Sequence, residues 1–325
     1  MASIEELKRL SILEVAERLG MQLKRVGNQT YVWKEHESFT INSRDNYFNW
    51  FARSTGGDVI ALVQTIQEEL TGQEISFKQA KHFLEEGSFE VVDVTNVPEK
   101  EPFSYYLKPY ETKFIEGREY LKEIRGLSDE TIDFFGEKGV LAQATKKTKD
   151  YYEPVIVFKS LDRQNEVIGA SLQGIRENHD LYERGRLKQI MRASDGMTGM
   201  HIDIGTPKRL VFAEAPIDLM SYYELKKDTL QDVRLVAMDG LKESTISRHV
   251  AELLSEMGEI KGEIESATIP TFLTNLAEVT TFFKEGKHQD LITLAVDNDK
   301  AGHTFIERLA DKKIAFVSDL PPATK

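Results

Sequence analysis

The chain has 325 residues, enough for two or three compact domains, and its 40% hydrophobic and 30% charged residues are the balance of an ordinary globular protein. The sequence contains no cysteine, which excludes disulfides, thiolate zinc sites and cysteine nucleophiles, so any metal must be held by oxygen or imidazole ligands. The net charge of -12 argues against a protein that coats duplex DNA through a general positive field.

The N-terminal segment shows no export or membrane signal. Its first residues, MASIEELKRLSILEVAERLG, are acidic and amphipathic and have no basic leader before an apolar run. No stretch of the sequence reaches the eighteen or so continuous apolar residues that a membrane span needs. We therefore expect a cytoplasmic protein that does not contact a membrane.

The first module, predicted over residues 1–86, combines helices with a small antiparallel sheet. Apolar side chains at helical spacing predict one helix over 3–19. Aromatic and β-branched runs separated by turn residues predict short strands between 21 and 51. A helix is expected after the STGGDV turn, and a further amphipathic helix at 76–86.

The middle of the chain is predicted to hold a linker and an α+β subdomain. Residues 87–113 carry three prolines among acidic and polar residues and show no sustained period, which indicates the linker. The subdomain, 114–207, opens with two short helical patterns, of which the second has Ser128 as its N-cap. Strands are expected at 153–159 and 166–172, joined by a polar turn.

The last unit, 208–325, changes to short apolar runs that alternate with helices. Strands are expected in the runs RLVFAEA, VRLVAM, DLITLAVDND and IAFVSD. This alternation is typical of βα units on a parallel sheet covered by helices on both faces. In such sheets ligands bind at the carboxyl ends of the strands.

Three acidic side chains fall at such strand ends. Glu214 ends the first of these runs, and Asp297 and Asp299 end the third, in each case just before a helix. Two carboxylates at this spacing repel each other, and a magnesium ion, which prefers oxygen ligands, would relieve the repulsion. The alternative for a lone D-x-D is a polar loop and helix cap.

The runs around these acids resemble the motifs of Toprim domains. VFAEAPIDLMSYYEL resembles their glutamate motif, LITLAVDNDKAGHTFI their DxD motif, and VRLVAMDGLKES the central strand and glycine turn between them. The resemblance implies an α/β Toprim fold. It also implies that Glu214, Asp297 and Asp299 hold Mg²⁺ or Mn²⁺ and carry the catalysis, and that Asp218 faces the same ion. The alternative for Asp218 is a first-turn carboxylate that interacts with the helix dipole.

Residues 115–317 together resemble the DnaG-type primases. They are most similar to the Toprim proteins of conjugative plasmids and integrative elements of Gram-positive bacteria, sometimes called LtrC-like. This implies single-stranded DNA and nucleoside triphosphates as partners, with a relaxase or helicase as a further one. A basic segment in the position of RGRLKQIMR holds template and nucleotide in primases. The residues that the resemblance assigns to this task are Arg176, Arg184, Arg186, Lys188 and Arg192, with Lys242 and Lys300 as weaker candidates.

The N-terminal module resembles the primase zinc ribbon without its cysteines. Trp33, Trp50 and Arg53 stand at the cysteine positions and His36 at that of the ligand histidine, so we expect no zinc. Two interpretations remain open. Either the tryptophans fill the core that the metal once organised, or they stack on single-stranded DNA that basic residues clamp. The basic residues of the second interpretation are Lys24, Arg25, Lys34 and Arg53.

Three functions are compatible with these features of the sequence. The first is a primase-like nucleotidyltransferase acting in plasmid or conjugative replication or transfer. The second is a Toprim nuclease, which would need only metal and DNA. The third is a non-catalytic DNA-binding accessory of a relaxosome, which the acidic charge and the missing cysteine ligands favour.

Overall fold

The computed structural model describes residues 3–50, 55–73, 75–92, 102–148, 151–182, 184–260, 268–284 and 287–322. The chain divides into two compact units, Met1–Lys100 and Glu101–Lys325. None of the helices in the described ranges is both long enough and apolar enough to cross a membrane.

The first unit packs helices against one face of an antiparallel sheet. Its described strands pair in the order β1-β2-β3-β4-β5, namely β1 (Leu23–Arg25), β2 (Thr30–Trp33), β3 (His36–Asn42), β4 (Tyr47–Trp50) and β5 (Thr55–Gly57). Its described helices are α1 (Ile4–Lys8), α2 (Ile12–Arg18), α3 (Val59–Thr71) and α4 (Phe77–Glu86). The predicted antiparallel sheet and the helices at STGGDV and 76–86 are therefore present.

Residues 3–19 form two helices rather than the one helix that periodicity predicts. Ser11 caps α2 and interrupts the chain of helical hydrogen bonds. The side chain of Asn46, which is 4% exposed, stabilises this interruption between α1 and α2. Its Oδ1 accepts from the Ile12 N–H at 2.8 Å, and its Nδ2 donates to the carbonyl oxygens of Lys8 and Leu10. A partner more than thirty residues away thus supplies the bonds that a continuous helix would make itself.

Trp33 and Trp50 lie in the core of the first unit. They are 4% and 2% exposed, and their ring centroids lie 5.8 Å apart in an edge-on arrangement. Phe39 packs edge-on against both rings, and His36 lies 4.5 Å from Trp33 and 5.1 Å from Trp50. Rings buried to this extent offer no face to a nucleic-acid base, so of the two interpretations the structure supports the core-filling one.

The described residues of the second unit form two sheets. One is antiparallel, with described strand order β10-β9-β8-β7-β6, and the other is mixed, with described order β11-β13-β12-β14-β15. The strands are β6 (Glu111–Thr112), β7 (Leu141–Lys147), β8 (Tyr152–Leu161), β9 (Val167–Gly174), β10 (Lys188–Ile190), β11 (His201–Ile204), β12 (Arg209–Ala213), β13 (Val233–Ala237), β14 (Ile292–Ala295) and β15 (Val317–Ser318). The helices are α5 (Glu116–Glu119), a π-helical turn (Tyr120–Ile124), α6 (Asp129–Glu137), α7 (Pro216–Lys226), α8 (Glu243–Glu256), α9 (Ile269–Val279) and α10 (Lys300–Asp311), with short 3-10 turns at Lys108–Tyr110 and Lys227–Thr229.

The mixed sheet is covered on both faces. Strands β12, β13, β14 and β15 pair in parallel, as predicted, and β11 adds an antiparallel edge that no sequence pattern indicated. Val211 and Leu235 face a core shared with α6, α7 and the antiparallel sheet. Phe212 and Leu294 face the opposite core, which α8, α9 and α10 complete. The antiparallel sheet therefore packs on the mixed sheet through one of the two cores.

Part of the segment predicted as a linker folds onto the second unit. Leu107 is 1% exposed and packs in a core with Val155 and Val157 of β8. The following strand β6 pairs with β7, with Glu111 opposite Ala144. Apolar side chains in this stretch follow no helical or strand period, which is why composition alone indicated a linker.

Candidate active site

The carboxyl ends of β12 and β14 bring the predicted acids together. In the parallel pair, Ala213 lies opposite Ala295. Glu214 follows the first of these alanines directly, and Asp297 follows the second after one residue. Two acids that are 83 positions apart in the numbering (214 and 297) therefore lie at the carboxyl ends of neighbouring strands.

The helices that follow the two strands fix two further carboxylates. Asp299 is the N-cap of α10, and its Oδ1 accepts a hydrogen bond from the Gly302 N–H at 2.8 Å. Asp218 lies in the first turn of α7, which begins with a proline at its first position. Both are locations where a carboxylate interacts favourably with the helix dipole. The cap interpretation of Asp299 is thus correct, and it coexists with a position beside Asp297.

The four carboxylates act on one another electrostatically. Burial raises the pKa of Glu214, and the charges of Asp297, Asp218 and Asp299 raise it further. Burial and Asp297 likewise raise the pKa of Asp218. The charge of Lys188 opposes both shifts, and that of Arg125 opposes the second. The site is therefore an acidic cluster with cationic side chains close enough to interact with it electrostatically.

The acid cluster fits an open magnesium site rather than a closed cage. Within the ranges that the structure describes, no three His, Asp or Glu side chains converge closely enough to enclose an ion. Mg²⁺ does not require such a cage, because it binds through one or two carboxylates and keeps waters or substrate phosphate in its other positions. The hard oxygen donors Glu214, Asp218, Asp297 and Asp299, which repel one another without a cation, suit that mode of binding.

A cleft of about 570 Å³ opens beside Glu214 and Asp218. Arg184, Arg186 and Lys188 line it together with these two acids. Its neutral part is formed by Phe158, Ser171, Leu172, Gln173 and Ile190. Opposite charges facing each other across a cleft of this size suit a ligand that carries phosphate and needs a metal.

Strand pairing explains why Ser171, Gln173 and Ile190 face the cleft together with Lys188, whereas the side chain of Leu172 packs in the core with Val155 and Val157. Lys188 lies directly opposite Gln173, and Ile190 opposite Ser171, in the antiparallel pair of β10 with β9. Residues that are opposite each other, or two apart along one strand, point to the same face of a sheet. The face that carries these four side chains is the one that carries Phe158, which pairs with Ser171.

Arg186 is held at the edge of the cleft by its neighbours. Its guanidinium lies 5.0 Å from the centre of the Tyr120 ring and donates to the carbonyl oxygen of Ile175. It also lies 3.9 Å from a carboxylate oxygen of Glu177. A guanidinium stacked in this way keeps donors available in a fixed orientation.

The other predicted cations lie elsewhere. Arg176 is exposed and pairs with Glu116 at 3.2 Å, and Arg192 is exposed beyond the end of β10; neither is among the described residues that line the cleft. Lys242 is the N-cap residue of α8, where burial lowers its pKa and Asp239 and Asp195 oppose that shift. Lys300 is exposed at the start of α10, beside Asp299.

In the first unit, the predicted DNA-binding residues differ in exposure: Trp33 and Trp50 are buried, whereas the described basic residues are exposed. Lys34 is exposed in the turn between β2 and β3, and Lys24 and Arg25 are exposed on β1. Arg53 lies outside the residues that the structure describes.

Sequence reasoning missed several polar residues of the cleft, among them Arg125, Ser171, Gln173 and Asp239. Arg125 follows the π-helical turn, an element that occurs often at functional sites and that no sequence period indicates. Ser171 and Gln173 lie on a strand whose partner β10 was not predicted. The signal for Asp239 was present, since a D-G pair directly after a buried strand marks a tight turn at the ligand-binding edge.

Comparison with known proteins places the acid cluster in a recognised domain. Residues 211–317 match the Toprim-like family model, and this range contains all four carboxylates. The second unit therefore carries a Toprim-like domain, as the sequence motifs indicated. Over 309 residues the chain is 28% identical to an uncharacterized protein of Bacillus anthracis, a match that covers 94% of this chain and 78% of the relative.

Two solved primase structures are similar to the chain at low identity. The primase fragment of the bacteriophage T7 primase-helicase protein is 15% identical, with a TM-score of 0.34, and the match covers 62% of this chain and 64% of that one, less than two thirds of its length. The Aquifex aeolicus primase, with its zinc-binding and RNA polymerase domains, is 14% identical, with a TM-score of 0.37, and the match covers 100% of this chain and 81% of that one.

Proposed function

We propose that the second unit is a primase-like nucleotidyltransferase that joins nucleotides on single-stranded DNA and depends on Mg²⁺ or Mn²⁺. The observation that carries the proposal is the cleft in which Glu214 and Asp218 face Arg184, Arg186 and Lys188. In a chain-extending reaction a hydroxyl oxygen attacks the α-phosphorus of a triphosphate, and pyrophosphate leaves. The reaction therefore needs both the acids, to hold the metal, and the cations, to hold the phosphates.

The acids and the cations take different parts in this reaction. A magnesium ion bound by Glu214, Asp297 and Asp299, with Asp218 beside them, would neutralise charge on the phosphates and orient them. Arg184, Arg186 and Lys188 bind phosphate oxygens from the other side, so that the triphosphate lies across the cleft. Two neutral residues of β9 that line the cleft, Ser171 and Gln173, contact the nucleoside.

The cellular setting follows from the sequence resemblance alone. We propose that the template is the single strand of a plasmid or conjugative element during replication or transfer, and that a relaxase or helicase delivers it. We also propose that the first unit is a metal-free descendant of the primase zinc ribbon. Its exposed Lys24, Arg25 and Lys34, with Arg53, are the residues expected to contact this strand, whereas the buried Trp33 and Trp50 are not.

The test is primer synthesis on single-stranded DNA with labelled nucleotides and Mg²⁺. Asp297→Asn and Glu214→Gln remove one negative charge each while keeping the shape of the side chain. Asp58→Asn is the control, because it removes the same charge from an aspartate that caps α3 of the first unit and does not belong to the acid cluster.

Labelled oligomers that form with the native chain and the control, and fall by at least roughly a hundredfold in the two variants, would support the proposal. Loss of the DNA itself without nucleotides, sensitive to the same variants, would identify a nuclease instead. DNA binding that all three variants retain, without either reaction, would identify a non-catalytic accessory.

A further inference from the structure

The turn after β13 brings a carboxylate into the cleft beside β9. Asp239 and Gly240 both adopt positive φ, +52° and +110°. A left-handed conformation is uncommon outside glycine, and such residues cluster at functional sites. Asp239 and Gly240 both line the cleft, and the Gly240 N–H donates to the carbonyl oxygen of Glu214 at 2.9 Å. Asp239 therefore lies in the turn that follows β13, beside the end of the neighbouring strand β12 that carries Glu214.

Ser171 of β9 supplies the complementary group. It is 9% exposed and lines the same cleft. Its hydroxyl lies near the Asp239 carboxylate. Nevertheless, its Oγ is shielded from solvent and makes no hydrogen bond of normal geometry with any residue that the structure describes. A buried hydroxyl that bonds a neighbouring carboxylate poorly is costly, and a ligand hydroxyl placed between the two groups would complete the bonding of both.

The chemistry of the pair selects the kind of group that fits. A carboxylate accepts hydrogen bonds and repels phosphate, whereas a serine hydroxyl both donates and accepts. A ligand hydroxyl can donate to Asp239 and accept from Ser171 at once. A carboxylate that recognises a ribose hydroxyl is a known solution in nucleotide-binding sheets.

The position of the pair matches the geometry of one nucleotide. Phosphate is expected between Glu214 and Lys188, and the sugar of the same nucleotide is attached directly to that phosphate. The 3′-hydroxyl has to stay free for the next addition, which leaves the 2′-hydroxyl for a fixed partner.

We propose that Ser171 and Asp239 form the subsite for the 2′-hydroxyl of the incoming nucleotide and determine discrimination between ribo- and deoxyribonucleotides. The inference rests on the proposed function for its nucleotide substrate.

The experiment compares the affinities of the full chain for ATP and dATP in Mg²⁺, by calorimetry and without a template. We expect ATP to bind at least roughly tenfold more tightly, because a site that hydrogen-bonds a hydroxyl discriminates against the analogue that lacks it. Asp239→Asn and Ser171→Ala should each bring the ratio close to one, mainly by weakening ATP. Asparagine tolerates the left-handed backbone of position 239, so this variant should still fold.

Two matched controls isolate the subsite. Asp232→Asn makes the same change at the other end of β13, where φ is also positive, at +48°. Ser160→Ala removes a buried hydroxyl from the neighbouring strand β8, outside the described cleft lining. Both should keep the native ratio.

The outcomes separate this inference from the proposed function. Equal affinities in the native chain, a ratio that survives both subsite variants, a preference found only between RNA and DNA oligomers, or no binding of either nucleotide would each overturn it. Primer synthesis is scored separately, so its absence beside an intact and variant-sensitive ratio would contradict the polymerising activity and leave the subsite standing.

Discussion

Gly302 lies so close to the backbone carbonyl oxygen of Asp297 that a Cβ atom at position 302 would overlap it. The glycine of the D-N-D-K-A-G run therefore lets α10 begin directly beneath the acidic strand end. We predict that Gly302→Ala displaces Asp297 and costs about 1–3 kcal/mol of the free energy of unfolding. Urea unfolding followed by circular dichroism measures the cost.

Gly136→Ala is the control for this change, since a Cβ at that helical position meets nothing within 4 Å. It should be neutral or stabilise by about 0.5–1 kcal/mol. Equal effects of the two substitutions would contradict the close approach at Gly302.

The acid cluster should make stability depend on pH in an unusual direction. Burial and neighbouring carboxylates raise the pKa of Glu214 and of Asp218. Between the ordinary and the raised pKa the folded state holds more protons than the unfolded state, so the free energy of unfolding falls as pH rises through that interval. Asp218→Asn should therefore stabilise the metal-free protein at neutral pH, and the gain should fall as pH drops through about 4 and vanish near about pH 3, where the carboxyl is protonated in both states.

Asp195→Asn tests the sign of that argument. Burial acts to raise the pKa of Asp195, but the Met197 N–H and Arg248 prevail and hold it below its usual range. This variant should destabilise the protein at neutral pH. If both variants were more stable, loss of a negative charge would stabilise the protein wherever it occurs. That result would contradict the specific repulsion between the carboxylates at the strand ends.

The cations of the cleft should matter more than those outside it. We predict that Lys188→Ala weakens ATP binding roughly tenfold, because a charge-assisted contact with phosphate is lost. Arg176→Ala should change the affinity less than about twofold, since Arg176 is exposed and pairs with Glu116. Titrations at several salt concentrations measure both, and an equal loss in the two variants would favour a diffuse electrostatic effect.

Asn46 should be essential for the first unit. Asn46→Ala leaves the Ile12 N–H without its partner and places alanine at a φ of +50°, so we expect a loss of about 2–4 kcal/mol. Both tryptophans of the chain lie in the core of this unit, so tryptophan fluorescence during unfolding reports on it selectively. Glycine adopts a positive φ without strain, so Asn46→Gly should regain the part of the free energy of unfolding that strain costs in Asn46→Ala. The part that is due to the lost hydrogen bonds should stay lost.

The aromatic cluster predicts that the first unit is stable without metal. A chelator should leave its fluorescence-detected unfolding midpoint unchanged. Trp33→Ala should cost about 3–5 kcal/mol, because it opens a cavity between Trp50 and Phe39, and Trp50 then serves as the reporter. A midpoint that falls on chelation would show that a metal contributes to this core after all.

The parallel strands and the carboxylates at their ends could be predicted because both signals are local. An apolar run such as RLVFA followed by an acid indicates a strand end without knowledge of the rest of the chain. The break before Ser11 could not be predicted, because Asn46 causes it from a distant turn. The cleft floor was missed for the same reason, since the direction in which Ser171 and Lys188 point depends on a pairing between separate strands.

The tryptophans show the limit of residue type as evidence. Trp33 and Trp50 with neighbouring lysine and arginine residues could as well have stacked on DNA as filled a core. Only the register of β2, β3 and β4, which turns both rings towards α3 and Phe39, decides between them.

Strand order also has a consequence during synthesis on the ribosome. β14 pairs with β12 in the middle of the mixed sheet, yet roughly 80 residues separate the two strands in sequence. At about 5–20 residues per second, one edge of the apolar strand β12 waits unpaired for roughly 4–16 s after it is made. A nascent chain with an open hydrophobic edge is prone to pair with its neighbours on a polysome. We therefore expect slow codons between α8 and β14 to lower the soluble yield, and chaperones that hold nascent chains to restore it.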